Sequence, residues 1–214
     1  MVSVGHREAV VRRSLGWLLA APLALWMLLV GPANAAGPEL GGSRMVLPSI
    51  SGDTAAQIFS PWGDNRYYTP LLGGDAESSR GWDLAGGAAI NLGNEPWQVW
   101  GVSDRSSVRL TSGSRASLTS PVSLAEDVRF FVQRPSDPGA RLQVSIRVLS
   151  LIGTAQTAVS YLEAGSPGWG ASDSYPVPDL LGAFGSQLIT VSVVNVGSGT
   201  WRVDDVSMDP WRAD

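Results

Sequence analysis

The clearest β-strand in the sequence reads Arg141-Leu142-Gln143-Val144-Ser145-Ile146-Arg147-Val148. Apolar side chains stand at every second position from Leu142 onward, and polar or charged side chains occupy the positions between them. Because successive side chains of a strand point to opposite faces of a sheet, this pattern predicts one face in a core and one face in water.

Short runs of the same kind cover much of the chain. Residues 128–133 and 189–194 alternate in the same way, and further strands are expected at residues 88–92, 98–102, 107–111, 116–122, 157–163 and 201–208. Gly, Ser, Asn and Pro separate these runs, and no segment after residue 36 holds a sustained helical period. The pattern predicts an all-β fold, an antiparallel two-sheet β-sandwich of jelly-roll type.

The first 35 residues have the order of an export signal. Three arginines precede an apolar run at residues 15–30, and Ala33-Asn34-Ala35 then offers the small side chains that a signal peptidase requires. An uncleaved anchor is the alternative, but the run is shorter than the roughly 20 apolar residues of a spanning helix. We expect a signal peptide at 1–35, a flexible linker or arm at 36–60 and a β-sandwich domain at 61–214.

The composition excludes several kinds of catalytic site. The 214 residues contain no cysteine and no lysine, and the single histidine, His6, lies in the predicted signal peptide. The exported chain therefore lacks the residues for a Ser-His-Asp triad, a cysteine nucleophile, a Schiff-base lysine, a zinc site of His and Cys or a disulfide. We expect a protein that is not an enzyme, with a carboxylate-dependent glycoside hydrolase as a lesser alternative.

The charge balance restricts the partners. The whole chain has 15 basic and 19 acidic residues, and residues 1–35 contain three arginines and one glutamate, which leaves 12 basic against 18 acidic residues and a net charge of −6. An acidic domain of this kind is not expected to bind nucleic acid, and it has no polybasic patch for a membrane surface. We expect a secreted, extracellular protein without stable membrane insertion after signal cleavage.

Two segments carry the most chemical information. They are residues 73–82, Gly-Gly-Asp-Ala-Glu-Ser-Ser-Arg-Gly-Trp, and residues 201–209, Trp-Arg-Val-Asp-Asp-Val-Ser-Met-Asp. In the second segment, strict alternation would put Trp201 and Val203 on one face and the next two apolar residues on the other. A β-bulge at Asp204-Asp205 would let all four reach the core, and two adjacent carboxylates there would attract a cation.

The two segments resemble the opening and closing strands of carbohydrate-binding modules with the galactose-binding-like jelly roll. Members of that family often begin near Asn-Gly-Asp-Phe-Glu followed by Gly-Trp and end near Trp-x-Ile-Asp-Asp-Val. The resemblance implies that the first and last strands lie together and hold a structural calcium ion. Carried over by position, the calcium ligands would be Glu77 and Asp204, with Asp75 and Asp205 as neighbours. Solvated carboxylates at strand ends are the alternative.

The chain also resembles uncharacterised exported proteins of high-GC Gram-positive bacteria. Four short segments carry this second resemblance, at residues 59–64, 67–70, 94–96 and 209–211. It implies no activity.

Seven tryptophans remain after residue 35, namely Trp62, Trp82, Trp97, Trp100, Trp169, Trp201 and Trp211. An exposed aromatic ring offers a flat apolar surface to a sugar ring, and polar neighbours can bond its hydroxyls. If residues 98–102 form a strand with Val99 inward, Trp97 faces the core and Trp100 faces solvent. The candidate glycan-binding residues are Trp100, Phe131, Arg147, Tyr161 and Trp169. The first four, with Arg129 and Gln133, would share one wet sheet face. Packing under loops is the alternative for each aromatic residue.

These observations predict a secreted, non-catalytic binding module for an extracellular glycan or cell-surface polymer. The alternative is a structural or adhesive surface protein that binds another protein or itself. An exposed row of aromatic residues with polar neighbours would favour sugar, and a broad aliphatic patch would favour protein. The sequence leaves the ligand and the oligomeric state open.

Overall fold

The computed structural model describes residues 55–122, 125–150, 153–178 and 187–210. These residues form one 3-10 turn at Ser60–Trp62 and the strands β1 (Thr69–Pro70), β2 (Trp82–Ala85), β3 (Ala89–Leu92), β4 (Ser106–Leu110), β5 (Arg115–Val122), β6 (Asp127–Arg134), β7 (Arg141–Ser150), β8 (Ala155–Glu163), β9 (Gly168–Ala171), β10 (Tyr175–Pro176), β11 (Gln187–Asn195) and β12 (Trp201–Met208). The predicted signal peptide and residues 36–54 of the predicted arm lie outside the described residues. Within the described ranges, no helix has the length and apolar character needed to cross a membrane.

The strands form two antiparallel sheets. The first sheet has the strand order β10-β6-β12-β4-β3, with β1 paired to β12 and β9 paired to β6. The second sheet has the order β2-β5-β11-β7-β8. Apolar residues of both sheets form one buried core between them. The predicted two-sheet β-sandwich of jelly-roll type is therefore confirmed.

Strand β7 has the predicted alternation. Its inward side chains Leu142, Val144 and Ile146 are at most 2% exposed, while Arg141 and Arg147 on the other face are exposed. Burying an apolar side chain of this size contributes about 1.5–3 kcal/mol relative to leaving it in water. Strand β11 pairs with β7 along its whole length and alternates in the same way, so the centre of the second sheet is fixed by these two strands.

Strand β6 departs from its predicted pattern because both of its faces are buried. Its alternate apolar residues face the core as expected, but Phe131 and Arg129 on the other face are only 0% and 9% exposed. A further layer of chain covers this outer face, and part of it, including Ile58 and Phe59, comes from the region assigned above to the flexible arm.

The end of the predicted arm belongs to the packed domain. Ala56 and Tyr68 exchange two backbone hydrogen bonds of 2.9 Å, and Phe59 is fully buried with its ring centroid 4.9 Å from that of Phe131. The predicted boundary at residue 60 is therefore too late in the chain. The boundary was placed too late because Phe59 packs on β6, and an alternation pattern does not reveal such a contact.

The strand predicted at residues 98–102 is absent from the described structure, which has turns there. The amide of Gly101 donates to the carbonyl of Gln98 at 3.2 Å, and the amide of Asp104 donates to the carbonyl of Gly101 at 3.1 Å. Gln98 has a φ of +50°, in the left-handed region. The segment between β3 and β4 is therefore a folded loop, residues 93–105, and its position determines the site described next.

Candidate cation site and aromatic face

Strand β12 contains the predicted bulge. Its register with β6 shifts between Asp204 and Ser207, and Asp205 has a φ of +51°. As a result the four apolar residues of β12, Trp201, Val203, Val206 and Met208, are all fully buried. The carboxylates of Asp204 and Asp205 are fully buried with them, at 0% exposure. The bulge thus places two adjacent acids in the interior of the protein.

The 93–105 loop adds two more buried acids at the bulge. Glu95 is 0% exposed and Asp104 is 4% exposed. One carboxylate oxygen from each of Glu95, Asp104 and Asp205 lies within 4.8 Å of the other two. We call these three residues the acid cluster.

Within the described part of the chain, the carboxylates of two of the three residues of the acid cluster receive no hydrogen bond. Both carboxylate oxygens of Asp104 and both of Asp205 are buried and accept no hydrogen bond from the described residues. A buried, unpaired carboxylate is strongly unfavourable unless a positive charge or a proton compensates for it. The potential metal ligands in the acid cluster are all carboxylate oxygens, which are hard ligands and fit a calcium ion.

The electrostatics of the acids reflect the same shortage of positive charge. Burial, reinforced by the negative charge of Asp205, raises the pKa of Asp204 to about 10. Burial and the charges of Asp104 and Glu95 raise the pKa of Asp205. Burial and contact with Glu77 raise the pKa of Asp104. Without a cation these groups therefore hold protons far above the ordinary carboxyl range.

The predicted ligand set changes in the structure. Asp205 belongs to the acid cluster, but Asp204 does not, because its two oxygens accept the backbone amides of Glu95 at 3.2 Å and of Asp205 at 3.0 Å. Asp204 therefore lies beside the acid cluster and holds the backbone of Glu95.

The two ligands predicted in residues 73–82, Asp75 and Glu77, are closer to solvent than the buried acid cluster. An oxygen of Glu77 accepts the backbone amides of Arg105 and Ser106, both at 2.7 Å, and Glu77 is exposed. Asp75 accepts the amide of Glu77 at 3.4 Å. Its negative charge also raises the pKa of Asp205, although burial and the charge of Asp104 contribute more. The sequence analysis did not select Glu95 or Asp104.

A group of aromatic side chains lies on the outer face of β6, which we call the aromatic face: Trp62, Trp97, Trp100, Phe131 and Trp169. The Trp97 ring centroid is 5.3 Å from that of Phe131 and 4.5 Å from that of Trp62, which stands edge-on to it. Trp100 and Trp169 are half-buried and pack against the cluster that contains Phe131. Trp97 is 43% exposed, so the face presents an aromatic surface to solvent.

A row of polar side chains crosses the first sheet next to these rings. Gln133 pairs with Trp169 of β9 on one side and with Arg202 of β12 on the other, and Arg202 pairs with Arg109 of β4. All four residues are half-buried, and Gln133 shares the outer face of β6 with Phe131, two residues away. A guanidinium nitrogen of Arg202 donates to two backbone carbonyls at the end of β3, at 2.9 and 3.0 Å. The row therefore offers fixed hydrogen-bonding groups beside an aromatic surface.

The predicted glycan-binding residues divide into two groups. Trp100, Phe131 and Trp169 converge on the aromatic face, although Phe131 is fully buried and supports the other rings from below. Arg147 and Tyr161 lie on β7 and β8, on the outer face of the second sheet. The prediction that the first four candidates share one face is therefore wrong, because β6 and β7 belong to different sheets.

Trp62 and Trp97 were not selected from the sequence. Trp97 was expected to face the core if residues 98–102 formed a strand, and the loop found there turns it outward. The only local signal for Trp62 was its place in the segment 59–64, which carried the second resemblance.

An ion-pair network holds the covering segment on β6. Asp64 accepts hydrogen bonds from Arg66 at 2.9 Å, from Arg129 at 2.8 Å and from the Tyr68 hydroxyl at 2.8 Å. Arg66 also bonds Asp127 of β6. The bond from Arg66 holds the pKa of Asp64 far below its ordinary value. The network fixes the segment that carries Trp62.

No protein-family model matches the chain, and no curated protein matches its sequence. Solved structures do match its fold. A carbohydrate-binding module studied for promiscuous specificity in the β-sandwich superfamily is 16% identical, with a TM-score of 0.41 over 64% of this chain and 60% of that chain. The enzymatically active domain of tailspike protein 4 from bacteriophage CBA120 is 19% identical, with a TM-score of 0.42 over 64% of this chain and 20% of that chain.

A family 61 carbohydrate-binding module, solved with β-1,4-galactotriose, is 18% identical, with a TM-score of 0.43 over 68% of this chain and 99% of that chain. At these identities and TM-scores, no ligand and no binding face transfers to this chain. The matching structures include further carbohydrate-binding modules, of families 22 and 28.

Proposed function

We propose that the protein is a non-catalytic module that binds an extracellular glycan on its aromatic face and holds a calcium ion in its acid cluster. The observation that carries the glycan proposal is Trp97, which is 43% exposed while packed on Trp62 and Phe131. A large ring that is held in place but open to solvent suits stacking against the C–H face of a sugar.

The polar row supports the same ligand. Gln133 is half-buried beside Trp169, and Arg202 and Arg109 continue the row across the next two strands, so these side chains can bond sugar hydroxyls at the edge of the aromatic surface. A few oriented polar groups around an aromatic surface are typical of small-molecule and glycan sites. Among the exposed aliphatic residues of the described chain, Val102 belongs to the 93–105 loop and Leu92 directly precedes it, whereas Leu72, Val159 and Leu188 lie on other elements.

The glycoside hydrolase alternative is not favoured. The grouped carboxylates of Glu95, Asp104 and Asp205 are at most 4% exposed, so a glycosidic bond cannot reach them. A hydrolase needs two carboxyl groups that flank the bond from opposite sides of an open cleft.

The glycan proposal can be tested with three soluble polysaccharides, xylan, galactan and hydroxyethyl cellulose. Each is titrated into the purified protein while tryptophan emission and the melting temperature are followed. We expect at least one to change the emission and raise the melting temperature, because a ligand that binds only the folded state stabilises it. In Trp97→Ala the affinity should fall by about tenfold or more, as expected when a stacking ring is lost.

Tyr161→Ala is the matched control, since Tyr161 is an aromatic residue of similar exposure, 46%, on the outer face of the second sheet. Its affinity should equal that of the unchanged protein. If no polysaccharide binds, or if Trp97→Ala binds as well as the control, the glycan proposal is wrong. Self-association that grows with concentration would then support the adhesive alternative.

The calcium proposal rests on the four orphan oxygens of Asp104 and Asp205. Calcium accepts irregular carboxylate sites and gives up its water readily, whereas magnesium keeps several waters and demands a strict octahedron. We expect chelation to lower the melting temperature and calcium, but not magnesium, to restore it. With calcium a hundredfold above its Kd, the stabilisation should be about 2.7 kcal/mol. A melting temperature that does not respond to chelation would contradict the site.

A further inference from the structure

We propose that the acid cluster controls the aromatic face, so that the bound cation sets the conformation of the 93–105 loop and presents Trp97 to the glycan. The inference rests on the proposed function and deepens it, because it makes glycan binding dependent on the cation. It follows from the contacts of one residue, Glu95, which belongs to the cation site and to the loop that carries two rings of the aromatic face.

Glu95 connects the two sites directly. Its carboxylate oxygens accept the backbone amides of Trp97 and Val99, the second at 3.0 Å. The same carboxylate belongs to the acid cluster with Asp104 and Asp205. A cation in the cluster therefore binds a group that already holds the backbone of Trp97, and the orientation of Trp97 depends on where that group is fixed.

The acid cluster also closes the loop. Glu95 and Asp104 stand near the two ends of the loop, and both contribute a carboxylate to the cluster. Trp97 and Trp100 lie between them in the chain. A cation that binds both acids holds the ends together and offsets the closure entropy of the loop. Without it, the two buried acids must hold protons or repel each other across the same gap.

Other contacts also hold the loop, among them the amide of Gly93, which donates to the carbonyl of Arg105 at 2.7 Å, and the amide of Arg105, which donates to Glu77 at 2.7 Å. Residues 93–105 belong to no strand, and the side-chain amide of Asn94 and the indole nitrogen of Trp100 supply two of its anchors, to the carbonyl of Asp104 at 3.0 Å and to the hydroxyl of Ser207 at 3.2 Å. Gln98 occupies the left-handed region at φ +50°, where a residue other than glycine is strained. A bound cation adds to these contacts by fixing the carboxylate of Glu95, which holds the backbone of Trp97.

Hydrogen exchange of the purified protein, followed by mass spectrometry, tests the coupling without any glycan. With excess calcium, the amides of Trp97 and Val99 should be protected by their bonds to Glu95. With chelator, their exchange should become at least about tenfold faster, equivalent to losing about 1.4 kcal/mol of local stability. Amides at the centre of β7 and β11, far along the chain from the loop, should exchange at the same rate in both conditions.

Asp205→Asn is the key variant, because it removes one carboxylate of the acid cluster, and neither oxygen of that carboxylate accepts a hydrogen bond from the described residues. Its loop amides should exchange at the same rate with and without calcium. Asp83→Asn removes an acid of the second sheet that is 71% exposed, and it should behave as the unchanged protein. Loop protection that is insensitive to both chelation and Asp205→Asn would overturn the coupling.

The polysaccharide titration supplies the second readout. For any of the three polysaccharides that binds, chelation and Asp205→Asn should each lower the affinity by about tenfold or more, at a temperature where the protein stays folded. Equal affinity with calcium and with chelator would overturn the coupling while leaving glycan binding intact. If none of the three binds, the glycan proposal fails, and the exchange measurement alone decides whether the cation orders the loop.

Discussion

The backbone amide of Glu95 donates a 3.2 Å hydrogen bond to a carboxylate oxygen of Asp204, across 109 positions of the chain. The bond joins the 93–105 loop to the bulge of β12. It also gives the two adjacent acids of the bulge different roles, because Asp204 is occupied by backbone amides while both oxygens of Asp205 have no donor. The bulge thus positions one carboxylate to hold the loop, while the next one faces the site of the proposed cation.

Asp205→Asn should stabilise the chelated protein and abolish its response to calcium. The substitution removes one of three buried acids that otherwise need a proton or a cation, and asparagine tolerates the left-handed φ of +51° at this position. We expect a melting temperature in chelator at or above that of the unchanged protein, and no further rise when calcium is added. Thermal unfolding with and without calcium measures both values. A variant that calcium still stabilises fully would show that Asp205 is not a ligand.

The cation-free protein should lose stability as the pH rises. Burial raises the pKa of Asp204 to about 10, and it also raises the pKa values of Asp104 and Asp205. The folded protein therefore binds these protons more tightly than the unfolded chain, so the free energy of unfolding decreases between the ordinary carboxyl pKa, about 4, and the folded value.

Urea unfolding in chelator at about pH 5 and about pH 8 measures this slope, and the protein should be more stable at the lower pH. With excess calcium the slope should flatten or reverse, because the ion replaces the protons as the compensating charge. Stability that increases with pH in chelator would contradict the raised pKa values.

The long strands could be predicted because one of their faces is buried. Strand β7 alternates over ten residues and β11 over nine, which is long enough for the period of two to stand out. Strands β2 and β9 have four residues each, and β9 contains two glycines, so neither shows a period that can be recognised. The prediction of a strand at 98–102 was wrong because the side chain of Glu95, outside that window, accepts the backbone amides of Trp97 and Val99.

The candidate site could be predicted only where its residues are close in the chain. Asp204 and Asp205 are adjacent, so the bulge and its acids follow from the apolar pattern of one strand. Glu95 and Asp104 reach the bulge through the tertiary position of a loop, which no local pattern contains. For the same reason Phe131 and Tyr161 were placed on one face, since the assignment of their strands to two sheets depends on long-range pairing.

Asp64→Ala should destabilise the protein by about 3 kcal/mol, near the lower end of the cost of breaking a buried ion pair. Asp64 and Arg129 have side chains only 11% and 10% exposed, and the substitution leaves Arg129 without its carboxylate partner. Arg66, at 38% exposure, regains water and reduces the loss. Urea unfolding near neutral pH measures the difference.

The exposed pair of Asp83 and Arg115 is the control for this experiment. Its side chains are 71% and 51% exposed, so Asp83→Ala should change the free energy of unfolding by less than about 0.5 kcal/mol. If both variants lose the same small amount, the network around Asp64 does not hold the covering segment on β6.

Gly74→Ala should destabilise the protein by about 1–3 kcal/mol, the usual cost of overpacking. A Cβ at position 74 would lie 2.3 Å from the carbonyl oxygen of Val206 and 3.0 Å from that of Leu71. Both are backbone atoms, and Val206 follows directly after the bulge, so relief of the clash must move the strand that carries Asp205. Gly101→Ala is the matched control, because its nearest atom would be a flexible hydroxyl at 3.8 Å. Thermal unfolding in calcium should therefore show a lower melting temperature for Gly74→Ala than for Gly101→Ala, and equal values would mean that the close approach to β12 does not constrain the bulge.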